Sequence, residues 1–513
     1  MPDSWLTYPI EFSEGLITNL SPLQQGINKP GSARVLRNFE PSVEGGYRKI
    51  QGYVKHDTNA LAGSGIIRGI TYYNGRIYAA RGNELYRSSG SGWTQITNNV
   101  AYSSAGITLS GSNIVRFAKY DFDGNEKLFI VDGASKPFIF DDNASTLTQL
   151  TGLSGDFTGC DFVIPFANHL FVANGQNLFF SAPYEDNEFS VALGGGVINI
   201  ADTITDLVVF REQLIIFSQT KIKRISGFSA ADFVLVSVSE DLGAIQPDTV
   251  QEVGGDVIFL GPDGLRTLAA TDRIGDFNLA VLSKSIQSQI TSFVNSVSGF
   301  CSLIVRNKSQ YRICGYSTGV SDQASLGILG AQIGESQFAW AETRGINARV
   351  SFSEYVGDEE RIYFANDDGY VYRLEQGSSF DGQNINAVFD SPFLTFQDPR
   401  LRKTFYKAHL YTDPTGSVEV DFQLVLDFDR FNTGVIQPNA IPLANNTSNF
   451  FRFGSPTAVY GSATYGSGNV DNILETQIIG SGYNASISLT SNDVNPPFSL
   501  DAVVIEYAVN GRR

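Results

Sequence analysis

Apolar residues in this chain come in short runs broken by Gly, Asn and Asp, and from about residue 64 one arrangement recurs. NGRIYAARGNELYR (74–87) reads as a strand, a Gly-Asn turn and a second strand. ANHLFVANGQNLFFS (167–181) and ERIYFANDDGYVYRL (360–374) repeat it with the same turn chemistry. Looser copies are EKLFIVDGASKPFIF (126–140), EQLIIFSQTKIKRIS (212–226), GDVIFLGPDGLRTL (255–268) and SQYRICGYS (309–317). Their first apolar residues are Ile77, Leu128, Leu170, Leu214, Val257, Tyr311 and Ile362, separated by 51, 42, 44, 43, 54 and 51 positions. Short strands repeating every ~40–50 residues predict the blades of a β-propeller, with these hairpins as the inner pair of each blade. A blade cannot bury both faces alone, so the blades must close into a ring. The expectation is an all-β chain whose propeller spans 56–385, with about seven blades and six or eight as alternatives. A set of unrelated β-sandwiches is the rival reading.

Three segments depart from that pattern. NLAVLSKSIQSQITSFVNSV (278–297) sets Leu279, Leu282, Ile286, Ile290, Phe293 and Val297 on one helical face, with Asp276 or Asn278 as cap, and predicts a helix outside the propeller. It lacks the dense basic face of a membrane-surface helix. Residues 386–513 predict a β-sandwich-like domain. In 404–428, Phe405, Lys407, His409 and Tyr411 share one strand face, and Val418, Val420, Phe422, Leu424 and Leu426 share another after a Pro-Thr-Gly turn. Val503, Ile505, Tyr507 and Val509 align in the final strand, and 429–484 reads as a long loop. Residues 1–55, with five prolines and no period, read as an extended arm.

Composition narrows the function. The 513 residues carry a net charge of −17, against a chain that grips DNA phosphates over its whole surface. Cys160, Cys301 and Cys314 are no disulfide framework. Cys301 and Cys314 could meet across a hairpin, but buried thiols are the better expectation. Residues 1–20 lack a signal-peptide pattern, and no apolar run approaches the ~20 residues of a membrane span, which leads us to expect a soluble chain made in a cytoplasm. His56, His169 and His409 have no partner at metal-ligand spacing. DFDGNE (121–126) begins like a calcium loop but lacks its later Glu, so a turn explains it. SSGSGWTQ (88–95) is an incomplete, unrepeated version of the sialidase hairpin motif. No cofactor, metal or catalytic residue is expected. Basic clusters lie at Lys221/Lys223/Arg224, Arg400/Arg402/Lys403 and Arg512/Arg513.

GLITNLSPLQQGINKPGSARVLRNFEPSVEGGYRKIQGY (15–53) resembles the N-terminal signature of a phage tail family through Gly15, Ser21, Pro22, Asn38, Phe39, Gly45, Gly46, Arg48, Lys49, Gly52 and Tyr53. DAVVIEYAVNGRR (501–513) and the order of elements resemble it too. The family comprises the tail nozzle or hub proteins of short-tailed phages, the packaged-DNA-stabilising proteins. The resemblance implies a virion protein assembled as a hexameric ring below the portal and adaptor. Such a ring continues the DNA channel, retains packaged DNA, conducts it during ejection and anchors fibres or spikes. Double-stranded DNA would pass through without specific binding, and this chain would not insert into a membrane. The Gly45-Gly46 turn would present Tyr47, Arg48, Lys49 and Tyr53 to a neighbour, with Arg512 and Arg513 as further contacts; the other reading packs the arm on its own propeller. Glu185, Asp186 and Glu188 are candidates to line or gate the channel, or form a plain solvated turn. The competing function is a propeller that binds or cleaves host-surface glycan, which would show an aromatic-lined pocket at its axis.

Overall fold

A computed structural model describes residues 5–150, 157–268, 281–319, 321, 324–334, 337–429, 436–445 and 473–510. Among these, seven small antiparallel sheets follow one another along the chain. Their first strands are Ile67–Tyr73, Arg116–Tyr120, Phe162–Phe166, Ile204–Phe210, Gln251–Val253, Gly299–Val305 and Val350–Val356. The hairpins recognised by their spacing are the second and third strands of these sheets: Ile77, Leu128, Leu170, Leu214, Val257, Tyr311 and Ile362 all fall on second strands. They are therefore the middle pair and not the inner one, a correction of one strand.

Each sheet presents apolar side chains on both faces, which is why the second strands read as continuous runs such as IYAA. Tyr78 and Ala80 pack toward Leu128 and Phe140 of the next sheet, while Ile77 and Ala79 pack toward Tyr363 and Ala365 of the last. Alternate residues point to opposite faces of a strand, so one short segment serves two interfaces. Equivalent buried clusters join every consecutive pair of sheets, and the seventh packs on the first. The architecture is all-β and propeller-like.

Two sheets are completed from elsewhere. The last sheet takes its fourth strand from the N-terminal segment, Tyr53–Lys55 pairing with Val371–Leu374. Among the described residues the fifth has three strands, and beside its outer edge lie a 3-10 turn Leu282–Ile286 and the helix Gln287–Ser296. Ile286, Ile290 and Phe293 are buried against Leu260, Leu265 and Phe300, as the apolar stripe required. Leu279 and the expected caps Asp276 and Asn278 lie outside the described residues.

The C-terminal part is a sandwich of two sheets. One runs Phe39–Pro41, Tyr47–Lys49, Phe498–Asn510, Arg402–Pro414, Ile473–Gly482, with Leu6–Glu11 also along Phe498–Asn510. The other runs Val35–Arg37, Ile385–Asp390, Ala485–Asp493, Glu419–Leu426, Ile441–Ala444. This second layer is continuous with the sixth sheet, because Val35–Arg37 bridges Phe338–Thr343 on one side and Ile385–Asp390 on the other, making nine strands in all. No break at 385/386 separates the two parts, and residues 5–55 contribute strands to both rather than forming an extended arm.

Two readings of the sandwich change. The segment 429–484 is not one loop: Ile441–Ala444 and Ile473–Gly482 are strands, with 430–435 and 446–472 outside the described residues. In Arg402–Pro414 the pairing register shifts between Phe405 and Lys407. A bulge adds one residue and exchanges the faces beyond it. Phe405, Ala408 and Leu410 therefore face the core, while Lys407, His409 and Tyr411 face outward.

Candidate functional site

The seven first strands converge on one cavity of about 260 Å³. Its wall takes Ile70, Arg116, Val163, Asp206, Gln251 and Ser302 from the first six sheets and Val350 from the seventh, with Asp248 from the loop before the fifth. The Arg116 guanidinium grips Asp248 through Nε (2.7 Å) and Nη2 (2.8 Å), donates from Nη1 to the Asp161 carbonyl (3.0 Å), and lies 4.2 Å over the Phe162 ring. Ser302 Oγ donates to the Asp248 carbonyl (2.8 Å), which fixes that loop against the sixth sheet.

Burial, and then the facing Asp248 carboxylate, push the Asp206 carboxyl up to about 7. Burial likewise raises Asp161. Desolvation alone would lower Arg116, but the Asp248 charge outweighs it and the guanidinium is held more firmly charged. Arg116 and Arg349 thus share the wall with the Asp206 and Asp248 carboxyls, and Asp206 takes up a proton near neutral pH. The cavity can hold a small polar ligand. A spacing pattern carried by the second strands does not reveal this set; its signal is a charged residue inside an apolar first strand, as in IVRFAKY and ITDLVVF.

The resemblance residues assemble at the joint between the sheets and the sandwich. Tyr47 is fully buried; its hydroxyl donates to the Gly31 carbonyl (2.8 Å) and accepts from Gly15 N–H (3.2 Å). Tyr53 is buried with its hydroxyl on the Gly345 carbonyl (3.1 Å), its ring stacked on Phe380. Lys49 has no exposure and pairs with Asp493 at 2.7 Å. These three side chains face inward, which corrects the expectation that they meet a neighbour; Arg48 is half-buried, and Arg512 and Arg513 lie outside the described residues. Ser21 caps the helix Pro22–Asn28 by accepting from Gln24 N–H (3.4 Å), with proline at its first turn.

The signature glycines have a steric cause. A Cβ on Gly52 would sit 1.9 Å from the Ser379 carbonyl oxygen, on Gly46 2.5 Å from that of Leu500, and on Gly15 2.7 Å from Trp340 N. Glu40 of the same segment forms ion pairs with Arg312 (3.0 Å) and Lys308 (2.7 Å), which also bind Glu375. That network ties the N-terminal strands to the sixth and seventh sheets.

Glu185, Asp186 and Glu188 lie on the connection between the third and fourth strands of the third sheet, well away in sheet order from the cavity-lining first strand. Asp186 pairs with Lys127 (3.1 Å) and accepts from the Tyr120 hydroxyl (3.0 Å); Glu188 accepts from Ser190 N–H (2.8 Å); Glu185 is exposed. The 121–126 segment closes as a turn, Gly124 N–H donating to Asp121 Oδ1 (2.7 Å). His169 is buried with Nδ1 2.5 Å from the Ser181 carbonyl, and His409 lies on the outer sandwich face between Glu475 (3.1 Å) and Glu506 (3.0 Å). Cys301 and Cys314 stand directly opposite each other in adjacent strands, both as buried free thiols.

No protein-family model and no curated protein matches the chain. Among solved structures, the extracellular domain of a one component system from B. thetaiotaomicron is similar at 12% identity and TM-score 0.40, over 80% of this chain and 48% of that one. PorZ of the type-IX secretion system of Porphyromonas gingivalis matches at 10% identity and TM-score 0.42, over 72% and 53%. YCF48 from Cyanidioschyzon merolae matches at 9% identity and TM-score 0.40, over 63% and 98%. The chain spans about half the length of the first two. These likenesses are of fold alone.

Proposed function

We propose that the seven sheets form a seven-bladed propeller and that the protein is a structural component of a phage tail, a nozzle or hub whose copies form a hexameric ring. The observation that carries this reading is the role of the signature residues. Gly15, Gly46 and Gly52 sit where a side chain would collide with backbone, and Lys49 where its charge is neutralised within the chain, so the segment resembling the tail family is read as the joint that holds propeller and sandwich rigid. A stiff two-part block suits repeated head-to-tail contacts that close on themselves. A net charge of −17 suits a wall past which DNA slides without sticking. In this role the ring continues the channel below portal and adaptor, retains packaged DNA until ejection, and carries fibres or spikes. Glu185, exposed at the outer part of its sheet, remains a candidate for the channel wall.

The test is the mass and shape of the purified chain mixed with its adaptor protein, by mass photometry and electron microscopy. A closed ring of about six copies on the adaptor is the expected outcome; a chain that stays monomeric with adaptor present overturns the proposal.

One feature favours the glycan reading: the cavity wall includes Phe117, Phe162 and Phe352. Its volume of about 260 Å³ lies below the ~300–1,000 Å³ of ordinary ligand pockets, which argues against an extended glycan chain.

A further inference from the structure

A second recess, of about 230 Å³, opens where the N-terminal strand Val35–Arg37, the sixth sheet and the helix Gln287–Ser296 meet. Its wall holds three arginines, Arg34, Arg37 and Arg344, against one carboxylate, Glu342. In a chain with 53 acidic and 36 basic residues, such a local excess of guanidinium is against the grain. Among the described residues Arg344 has the close carboxylate contact, its Nε 2.6 Å from Glu342 Oε1, while the Arg34 guanidinium lies 5.1 Å over the Phe393 ring. Arg37 Nε is 3.7 Å from the same oxygen, and Arg34 reaches Asp390 only at 3.8 Å. Both distances exceed hydrogen-bond reach. The Nε atoms of Arg34 and Arg37 are buried and have no hydrogen-bond partner among the described residues. A buried donor without an acceptor is costly, and an arginine fork matches the paired oxygens of a carboxylate or phosphate. Gln289 and Ser292 of the helix add neutral donors, and Leu16, Phe293 and Ile328 supply an apolar floor.

We propose that this recess binds a compact organic oxyanion, a carboxylate or phosphate group carried on a small apolar body. The guanidinium groups of Arg34, Arg37 and Arg344 hold the oxygens, and the floor takes the body. Glu342 competes with the ligand for Arg344. The site is separate from the axial cavity and does not depend on the assembly proposed above.

Isothermal titration calorimetry of the full chain tests this with three probes: inorganic phosphate, phenyl phosphate and benzoate. The expected result is saturable binding at one site per chain, tighter for phenyl phosphate than for inorganic phosphate. Whether benzoate or phenyl phosphate binds tighter assigns the head group. Arg34→Gln and Arg344→Gln each weaken binding about tenfold to a hundredfold, as for loss of a hydrogen bond to a charged group. Glu342→Gln strengthens it. Ser292→Trp, an exposed helix position on the recess wall, blocks binding while leaving the melting temperature unchanged, so loss of binding is separable from loss of fold. No saturable heat with any probe, or affinities indifferent to all four substitutions, overturns the proposal and leaves a recess filled by water only.

Discussion

Glu40 and Arg312 are 3% and 2% exposed, and each is tolerable there because the other is present, with Glu375 and Lys308 completing the set. Removing one member leaves an uncompensated charge where water cannot reach. Glu40→Ala is expected to cost about 3–5 kcal/mol, read as a lower urea midpoint with an unchanged slope. A loss below about 1 kcal/mol would mean the network is solvated. Asp206 gives a pH prediction. Its folded pKa of about 7 lies above the ordinary 3.8, so between those values the folded chain keeps a proton that the unfolded chain has released. Stability therefore falls as pH rises through that window, by at most about 1.4 kcal/mol per pH unit from this one group. Asp206→Asn should flatten the dependence between about pH 4 and pH 7; an unaltered pH profile in denaturant melts would place the proton elsewhere. Gly52 and Gly45 form a matched pair. Both belong to the resemblance segment, but a Cβ on Gly45 would meet nothing within 4 Å, and its φ of +97 is the constraint. Gly52→Ala is expected to cost more than Gly45→Ala, since overpacking against a backbone carbonyl typically costs about 1–3 kcal/mol and here cannot be relieved by a rotamer change.

At the scale of elements, the last sheet depends on a strand from the other end of the described chain. Tyr53 packs among Phe364, Tyr372 and Phe380 with ring centroids 5.0–5.1 Å apart. Tyr53→Ala should cost about 3–5 kcal/mol and raise amide exchange first in Val371–Leu374, the strand it covers. Exchange rising evenly over all sheets would instead indicate that this strand opens only with the whole fold. Spacing made the hairpins legible, because a second strand buries both faces and so carries a nearly continuous apolar run, broken in the sixth sheet by the buried Arg312. The first strands were less legible: they line the cavity and mix charged with apolar positions, as Arg116 and Asp206 do. The face exchange in Arg402–Pro414 was not legible at all. An inserted residue leaves the alternation of TFYKAHLYT intact to the eye while the register changes between Phe405 and Lys407.

For the whole molecule, the nine-stranded sheet is the consequential feature, since it carries hydrogen bonds from the sixth sheet of the propeller-like part into the sandwich without a gap. Scanning calorimetry is expected to show one cooperative transition rather than two; resolved transitions for the two parts would mean the shared sheet can part between Val35–Arg37 and Phe338–Thr343, where a single parallel bridge joins them. The repeated short strands, their spacing, a helix within 278–297 and the alternating strands of the sandwich were legible in the sequence, because these are local patterns of burial with a fixed period; the helix observed is the shorter Gln287–Ser296, after a 3-10 turn. Gly15, Gly46 and Gly52 stood out only through the resemblance; the backbone each would meet is visible in the fold alone. Where residues 5–55 go, which strand of each sheet lines the cavity, and which charges meet were settled only by the fold: Glu40 with Arg312, Arg116 with Asp248, Arg34 beside Arg37 and Arg344. Those outcomes depend on contacts between residues up to several hundred positions apart, and local pattern carries no record of a partner that distant.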